Sequence, residues 1–464
     1  MTTIDRLPIV ALVAVAPAAL AQFAEPGVIV HQEFTGAGQF GWAVSELTDI
    51  DGDGAMEAIV TAPSAPGGGR VVVYSGATGD VLMDLGPEGA GESFGWSGAD
   101  AGDVNGDGVH DVIVGAPARG GNAGAVYIFS GAAAERGMLI RRVDSVSGIE
   151  RFGSAVSWLG DVDGDGFGEV VVGAGQSDVT DPGDPTSNDG RSYVLSGSDG
   201  SVIHTIDGAE PGAQMGAGLG GLEDVDGDGV RDFAVGSTGA SRADVFSGAT
   251  GDPIIGPLEP TERAASFGTF FTGPAGDTNA DGTPDVYVGD FSGGIGGHFY
   301  VYSGADGSVL HSISSTTPGV GFGLGCGRGA GDVDGDGHDD VISGSYLGNQ
   351  ATVFSGRTGQ VIRFITYTRP GSQFGFDAVG IGDVTGDGLI DFLVGAATGN
   401  RALIISGAVC AADLDGDSDL TLFDFLEFQN LFDAGDPIAD FDGDGTLTLF
   451  DFLAFQNAFD AGCA

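Results

Sequence analysis

The chain has 464 residues, 88 of them Gly, and a formal net charge of −50, with 66 acids set against 16 arginines and no lysine. Without a lysine ammonium there is no Schiff-base chemistry and no P-loop, and so few cations exclude phosphate-tracking nucleic-acid binding. A hydrophobic share of 42% separates the chain from disordered acidic tails, and acids recurring at fixed spacings point to cations as partners.

Residues 1–21 read as a secretory signal. Arg6 supplies a weakly basic start, Leu7 to Leu20 an apolar run, and Ala19-Leu20-Ala21 a small-residue cleavage site before Gln22. An uncleaved membrane anchor is the alternative, although the run is short for a bilayer. No later segment approaches the ~18–20 apolar residues of a spanning helix, so no membrane span is expected after cleavage. A secreted or cell-surface location follows, where Ca²⁺ is plentiful and disulfides persist.

One unit then recurs. Acidic loops open at Asp49, Asp103, Asp161, Asp224, Asp277, Asp332 and Asp383, 51 to 63 residues apart. Before each loop stands an aromatic-Gly pair, read as Phe40-Gly41, Phe94-Gly95, Phe152-Gly153, Phe267-Gly268, Phe322-Gly323 and Phe374-Gly375, with Met215-Gly216 in the fourth unit. After each loop come two apolar runs. The first ends in small residues, as in Val112 to Pro117, and the second ends in Ser-Gly, from Ser75-Gly76 to Ser406-Gly407. Short runs rich in Val, Ile, Phe and Tyr, bounded by Gly and Asp, are strands. Each unit therefore supplies strand a after the aromatic-Gly pair, b after the acidic loop, c before Ser-Gly and d after it. Repeats of about 50 residues with four strands each make a β-propeller, here all-β and seven-bladed. The seventh unit stops at Ser406-Gly407 without its d strand, while residues 28–34 precede the first unit as an orphan d strand. Pairing the two would close the ring and remove an exposed edge.

The loops carry oxygen ligands at positions 1, 3, 5 and 9. These are Asp49, Asp51, Asp53 and Glu57; Asp103, Asn105, Asp107 and Asp111; Asp161, Asp163, Asp165 and Glu169; Asp224, Asp226, Asp228 and Asp232; Asp277, Asn279, Asp281 and Asp285; Asp332, Asp334, Asp336 and Asp340; Asp383, Thr385, Asp387 and Asp391. One such loop could be a plain Asp/Gly turn. Seven at matched offsets are calcium sites, because clustered carboxylates repel unless a cation reverses the field. Ca²⁺ accepts 6–8 oxygens in a flexible shell, whereas Mg²⁺ demands near-octahedral geometry. The seven ions read as structural.

Phe-Gly, Asp-x-Asp-x-Asp-Gly-x-x-Asp and Gly115-Ala-Pro117 within one repeat resemble the FG-GAP repeats of integrin α-subunit propellers. The resemblance covers residues 28–408, within a domain of residues 22–408. It implies a seven-bladed propeller with Ca²⁺ in its loops, and it does not imply an integrin β-subunit partner.

From residue 409 the pattern changes. Asp413, Asp415, Asp417 and Asp424 stand at positions 1, 3, 5 and 12 of a loop, and Asp440, Asp442, Asp444 and Asp451 repeat this 27 residues later. Helical segments follow at Phe425–Phe432 and Phe452–Phe459. This is EF-hand spacing with Asp in place of Glu at position 12, and it calls for two further Ca²⁺. Two loop–helix halves over residues 410–463, within a module of residues 409–464, resemble a dockerin. That resemblance implies a protein receptor, cohesin-like or other, and a docking face using Leu422-Phe423 and Leu449-Phe450. Phe425, Phe428, Phe452 and Phe455 read as the small core between the helices. Cys410 and Cys463 bracket the module and are expected to form a disulfide worth about 4 kcal/mol by chain entropy. Cys326, left over, reads as a buried small apolar residue.

Nothing in the sequence supports catalysis. No Ser-His-Asp order or HExxH motif is present. The reading is an exported calcium-binding interaction or adhesion protein whose propeller binds a protein or glycan ligand. A glycan-binding or lyase-like calcium propeller is the alternative. Arg119 and Arg151 on the metal-free loops would serve as ligand contacts or as solvated surface. The long b–c insertion from Gln176 to Gly190 lies away from the metals and would be a functional or a tolerated loop.

Overall fold

Val, Ile, Phe and Tyr runs punctuated by Gly and Asp have one economical arrangement, short antiparallel sheets stacked face to face. The computed structural model describes residues 22–145, 147–177, 188–409, 412, 414, 420–435, 439, 441 and 446–461. The expected signal segment, most of the b–c insertion, Cys410, Cys463, Asp413, Asp415, Asp417, Asp440, Asp442 and Asp444 lie outside the described residues.

Seven four-stranded antiparallel sheets form the blades of a propeller. The first contains Val44–Leu47, Glu57–Ala62, Arg70–Ser75 and Val81–Leu85, in spatial order a-b-c-d. Strand b is buried along its whole length in Glu57–Ala62 and Asp285–Asp290, because neighbouring blades cover both of its faces. Strand d lies at the rim and is partly exposed, as in Val202–Asp207. The inner strands of the other blades are Ser97–Gly102, Ala155–Gly160, Met215–Gly221, Thr272–Gly276, Leu324–Gly331 and Phe374–Gly382. Several are Gly-rich because inner strands converge. A Cβ on Gly220 would come within 2.6 Å of the Gly273 Cα.

The ring closes as the orphan strand requires. Val28–Thr35 pairs antiparallel with Arg401–Val409 and becomes the outer strand of the seventh blade.

The aromatic-Gly pair seals one blade against the next. Phe40, Phe94, Phe152, Met215, Phe267 and Phe374 are all buried. In the sixth unit the structure corrects the register: this place is taken by Leu324-Gly325, not Phe322-Gly323. Leu324 is fully buried and bridges Gly297, as Phe94 bridges Gly69. Gly325 has φ +121°, with its would-be Cβ 2.4 Å from the His298 carbonyl. Phe322 is 57% exposed. A leucine fills the same apolar slot, which an aromatic-Gly pattern does not cover.

One ion pair ties three blades together at the inner wall. Arg328 Nη2 donates to Asp377 at 3.0 Å and to the Val44 carbonyl at 3.2 Å, while Val44 N donates to Asp377 at 3.0 Å. Asp377 is buried. Removing one partner of such a pair strands a charge, so Arg328→Ala is expected to cost about 3–5 kcal/mol in denaturant unfolding. The double variant Arg328→Ala/Asp377→Ala should recover part of that loss.

The C-terminal segment forms helices Leu422–Ala434 and Leu449–Ala461, which begin three residues before the expected segments. Thr421 caps the first, accepting from Phe423 N, while Asp424 accepts from Thr421 N at 2.7 Å. Thr448 and Asp451 repeat the arrangement. Phe428 and Phe455 stack at 4.5 Å as the core, edged by Phe425 and Phe452. Among the described residues no helix is long and apolar enough to cross a membrane.

Candidate metal centres

Seven loops of one construction join strands a and b. In the first, the two oxygens of Asp49 accept from Gly52 N at 2.6 Å and Gly54 N at 2.9 Å. Asp51 accepts from Asp53 N at 3.1 Å, and Asp53 accepts from Ala55 N at 2.9 Å. Backbone donors therefore orient every acid and leave further lone pairs to converge on one point. Carboxylate oxygens of Asp49, Asp51 and Asp53 lie within 4.8 Å of one another. The same holds for Asp161, Asp163 and Glu169, for Asp224, Asp226 and Asp232, and for Asp332, Asp334 and Asp336. The three remaining loops are those with a neutral third residue, Asn105, Asn279 or Thr385. Their first-position acids, Asp103, Asp277 and Asp383, still accept from the N–H of the sixth loop residue, and their fifth-position acids, Asp107, Asp281 and Asp387, from that of the seventh.

The fourth and sixth positions wind left-handed, as at Gly52 (φ +85°) and Gly54 (φ +93°). Loop five places Ala280 at its fourth position, at φ +55°. An L-residue is strained there, so Ala280→Gly is expected to stabilise the protein by about 1 kcal/mol, read from a urea midpoint.

The ninth-position acid has a second role that the sequence reading missed. Glu57, Asp111, Glu169, Asp232, Asp285, Asp340 and Asp391 are all fully buried. Each accepts from the N–H of the second loop residue at 2.7–3.1 Å. Each also accepts from the N–H of the Ser-Gly glycine at 2.8–3.4 Å. This carboxylate bolts the a–b loop to the c–d turn, placing both on one face of the disc. The glycine is obligatory, because a Cβ there would sit 1.8–2.3 Å from the carbonyl of the eighth loop residue, as Gly356 does against Asp339. The repeated Ser-Gly was the available signal.

Burial, reinforced by neighbouring loop acids, pushes Glu57, Asp111 and Glu169 up to about 7 and Asp232 and Asp340 up to about 6. Asp285 and Asp391 move in the same direction for the same reason. Such acids suit a hard cation that reverses the local field. In loop seven the Thr385 hydroxyl oxygen is buried without a hydrogen-bond partner, an acceptor aimed at no protein donor. The donor set fits Ca²⁺. Calcium is expected to leave loop seven first, because its third ligand is a hydroxyl, a weaker oxygen donor than the carboxylates or the Asn carbonyls of the other loops. Anomalous difference maps from crystals in graded EGTA check this, and Thr385→Asp should remove the difference.

The family comparisons agree with this geometry. The FG-GAP repeat model matches residues 94–129 and 152–195, and the FG-GAP-like repeat model matches residues 332–394. This is an integrin-α-like propeller of FG-GAP repeats. Integrin alpha-4 of Xenopus laevis is 36% identical over 153 residues, covering 30% of this chain and 14% of that protein. Integrin alpha-PS5 of Drosophila melanogaster is 33% identical over 211 residues, covering 40% and 19%. Human integrin alpha-IIb is 32% identical over 157 residues, covering 31% and 15%. The chain thus spans less than a fifth of the length of these relatives.

The remaining singled-out residues separate by role. Arg119 belongs to an ion-pair network with Glu92 and Asp144 and donates to the Tyr127 hydroxyl, so its cation is held by protein. Arg151 lies 5.0 Å over the Trp96 ring. Cys326 is a buried free thiol, as expected, and burial pushes its pKa up.

Proposed function

We propose that this chain is an exported calcium-binding interaction protein. Its propeller presents a ligand-binding face, and its C-terminal segment attaches it to a protein receptor, cohesin-like or other. Calcium is held in the seven a–b loops by the residues at positions 1, 3, 5 and 9. Two more ions belong to the loops that end at Asp424 and Asp451. In this reading the chain acts outside the cell, by binding rather than catalysis.

The observation that carries the reading is a matched pair of apolar surfaces on the C-terminal helices. Leu422 and Leu449 are each 69% exposed, Phe423 and Phe450 are 65% and 67% exposed, and Leu426 and Leu453 are each 44% exposed. Large apolar side chains grouped in water mark a face that a partner covers. The test is a pull-down with residues 410–464 in calcium and in EGTA, alongside the double variant Phe423→Asp/Phe450→Asp. Capture that needs both calcium and the unaltered surface supports the docking role. Equal capture by the variant would sink it.

A second reading, a glycan-binding or glycan-degrading propeller, is favoured by one feature, the aromatic lining of the central channel. Depolymerisation of an acidic polysaccharide by the purified chain would support the degrading form.

A further inference from the structure

The central channel holds chemistry that neither the metal loops nor the ring closure uses. A cavity of about 450 Å³ runs along the inner strands, a size that holds small organic ligands. All three tryptophans of the chain, Trp42, Trp96 and Trp158, line it. Trp42 and Trp96 lie 4.9 Å apart at 45°. Phe376 stands 4.6 Å from Trp42, and Phe270 stands 6.0 Å from Trp96. Trp42, Trp96 and Phe376 directly follow the aromatic-Gly pairs, at the end of strand a opposite the metal loops. The aromatic ring therefore forms the metal-free mouth.

Deeper in, the walls become polar. Glu46 lies in strand a of the first blade, four residues beyond Trp42. Its Oε2 is buried without a hydrogen-bond partner. Arg328, partly exposed to the channel, engages protein acceptors through Nη2, so its other guanidinium N–H groups stay open to the cavity. Thr272 is buried, and its hydroxyl has no partner. All three residues line the same cavity. Buried polar atoms are normally paired, so an unmet carboxylate oxygen and an unmet hydroxyl in one aromatic-walled cavity, beside an accessible guanidinium, describe a ligand.

We propose that this channel binds a neutral saccharide unit entering from the metal-free mouth, an assignment that rests on the glycan-binding reading above. A sugar hydroxyl donates to Glu46 and accepts from Arg328 or Thr272, meeting both signs at once. The C–H face of the ring packs on Trp42 and Trp96. An ammonium group would satisfy Glu46 but face the Arg328 guanidinium. A carboxylate would face Glu46, Asp377 and the negative field of the whole chain.

Because every tryptophan lines the cavity, intrinsic emission of the full calcium-loaded chain reports on it directly. Titration with maltose, cellobiose and lactose is expected to give a saturable emission change with at least one of them. Glu46→Gln and Thr272→Val should each weaken that binding on the order of tenfold, whereas Val202→Thr on an outer strand should leave it unchanged. Saturation by putrescine or tetramethylammonium with no response to any saccharide would overturn the assignment in favour of an organic cation. A flat response to every probe would overturn the channel as a ligand site. Glycan binding that persists undiminished in both channel variants would overturn the site while leaving the glycan reading standing. No glycan binding by the intact chain would overturn both.

Discussion

Excess EGTA is expected to lower the melting temperature of the protein by on the order of 10 °C or more. Seven loops bring acids together at the a–b turns, and each ninth-position acid also holds a c–d turn. A ligand at 100 times its Kd contributes about 2.7 kcal/mol per site, so filling the loops together is worth roughly 20 kcal/mol. The effect depends on pH with a definite sign. In the metal-free fold Glu57, Asp111 and Glu169 titrate at about 7, above their unfolded values. A raised carboxyl pKa favours the fold while the group is protonated, and that contribution is lost as pH rises from the unfolded value through about 7. A cation removes this cost. The EGTA-induced drop should therefore be larger at pH 8 than at pH 5, with Mg²⁺ restoring less than Ca²⁺. Calorimetry at both pH values checks the prediction, and a melting temperature unchanged by EGTA at pH 8 would refute it.

The propeller was legible because its signals are local and repeated. Loop acids at fixed offsets, Ser-Gly after strand c and the orphan strand at residues 28–34 each survive seven-fold comparison without any knowledge of contacts. What stayed hidden depends on which atoms meet. Leu324 occupies a slot that Phe fills elsewhere, and only burial distinguishes it from Phe322. The ninth acid looked like a metal ligand alone, since the Gly76 N–H that it also binds lies 19 residues away from Glu57. Arg328 and Asp377 come from different blades, 49 residues apart, so no spacing rule connects them. The three tryptophans belong to three separate units and reveal a common cavity only when the ring is closed. Repetition discloses architecture, whereas sites built at the axis from positions that differ between repeats do not announce themselves in sequence.

Deleting residues 22–36 is expected to cost on the order of 10 °C in melting temperature and to drive self-association. The segment does more than complete a sheet. Val28–Thr35 supplies the outer ladder of the seventh blade, from Val28 opposite Val409 to Thr35 opposite Arg401. Phe34 stacks on Tyr74 of the first blade at 4.0 Å, and the His31 ring nitrogen lies 3.0 Å from the Ala77 carbonyl there. Phe23 packs on Tyr367 and Phe374, and Glu25 accepts from Thr366 N at 2.6 Å, tying the segment to the sixth and seventh blades. Burying Phe23, Val28 and Phe34 is worth about 1.5–3 kcal/mol each, before the ladder is counted. Deletion bares Arg401–Val409 as an open edge, the template on which strands of other molecules pair. The truncated protein should therefore melt early and elute as oligomers on a sizing column. A peptide of residues 22–36 added in trans should restore the monomer by strand addition. Truncation that left melting temperature and elution unchanged would mean that the ring is held by its inner strands and metal loops alone, with the outer strand ornamental.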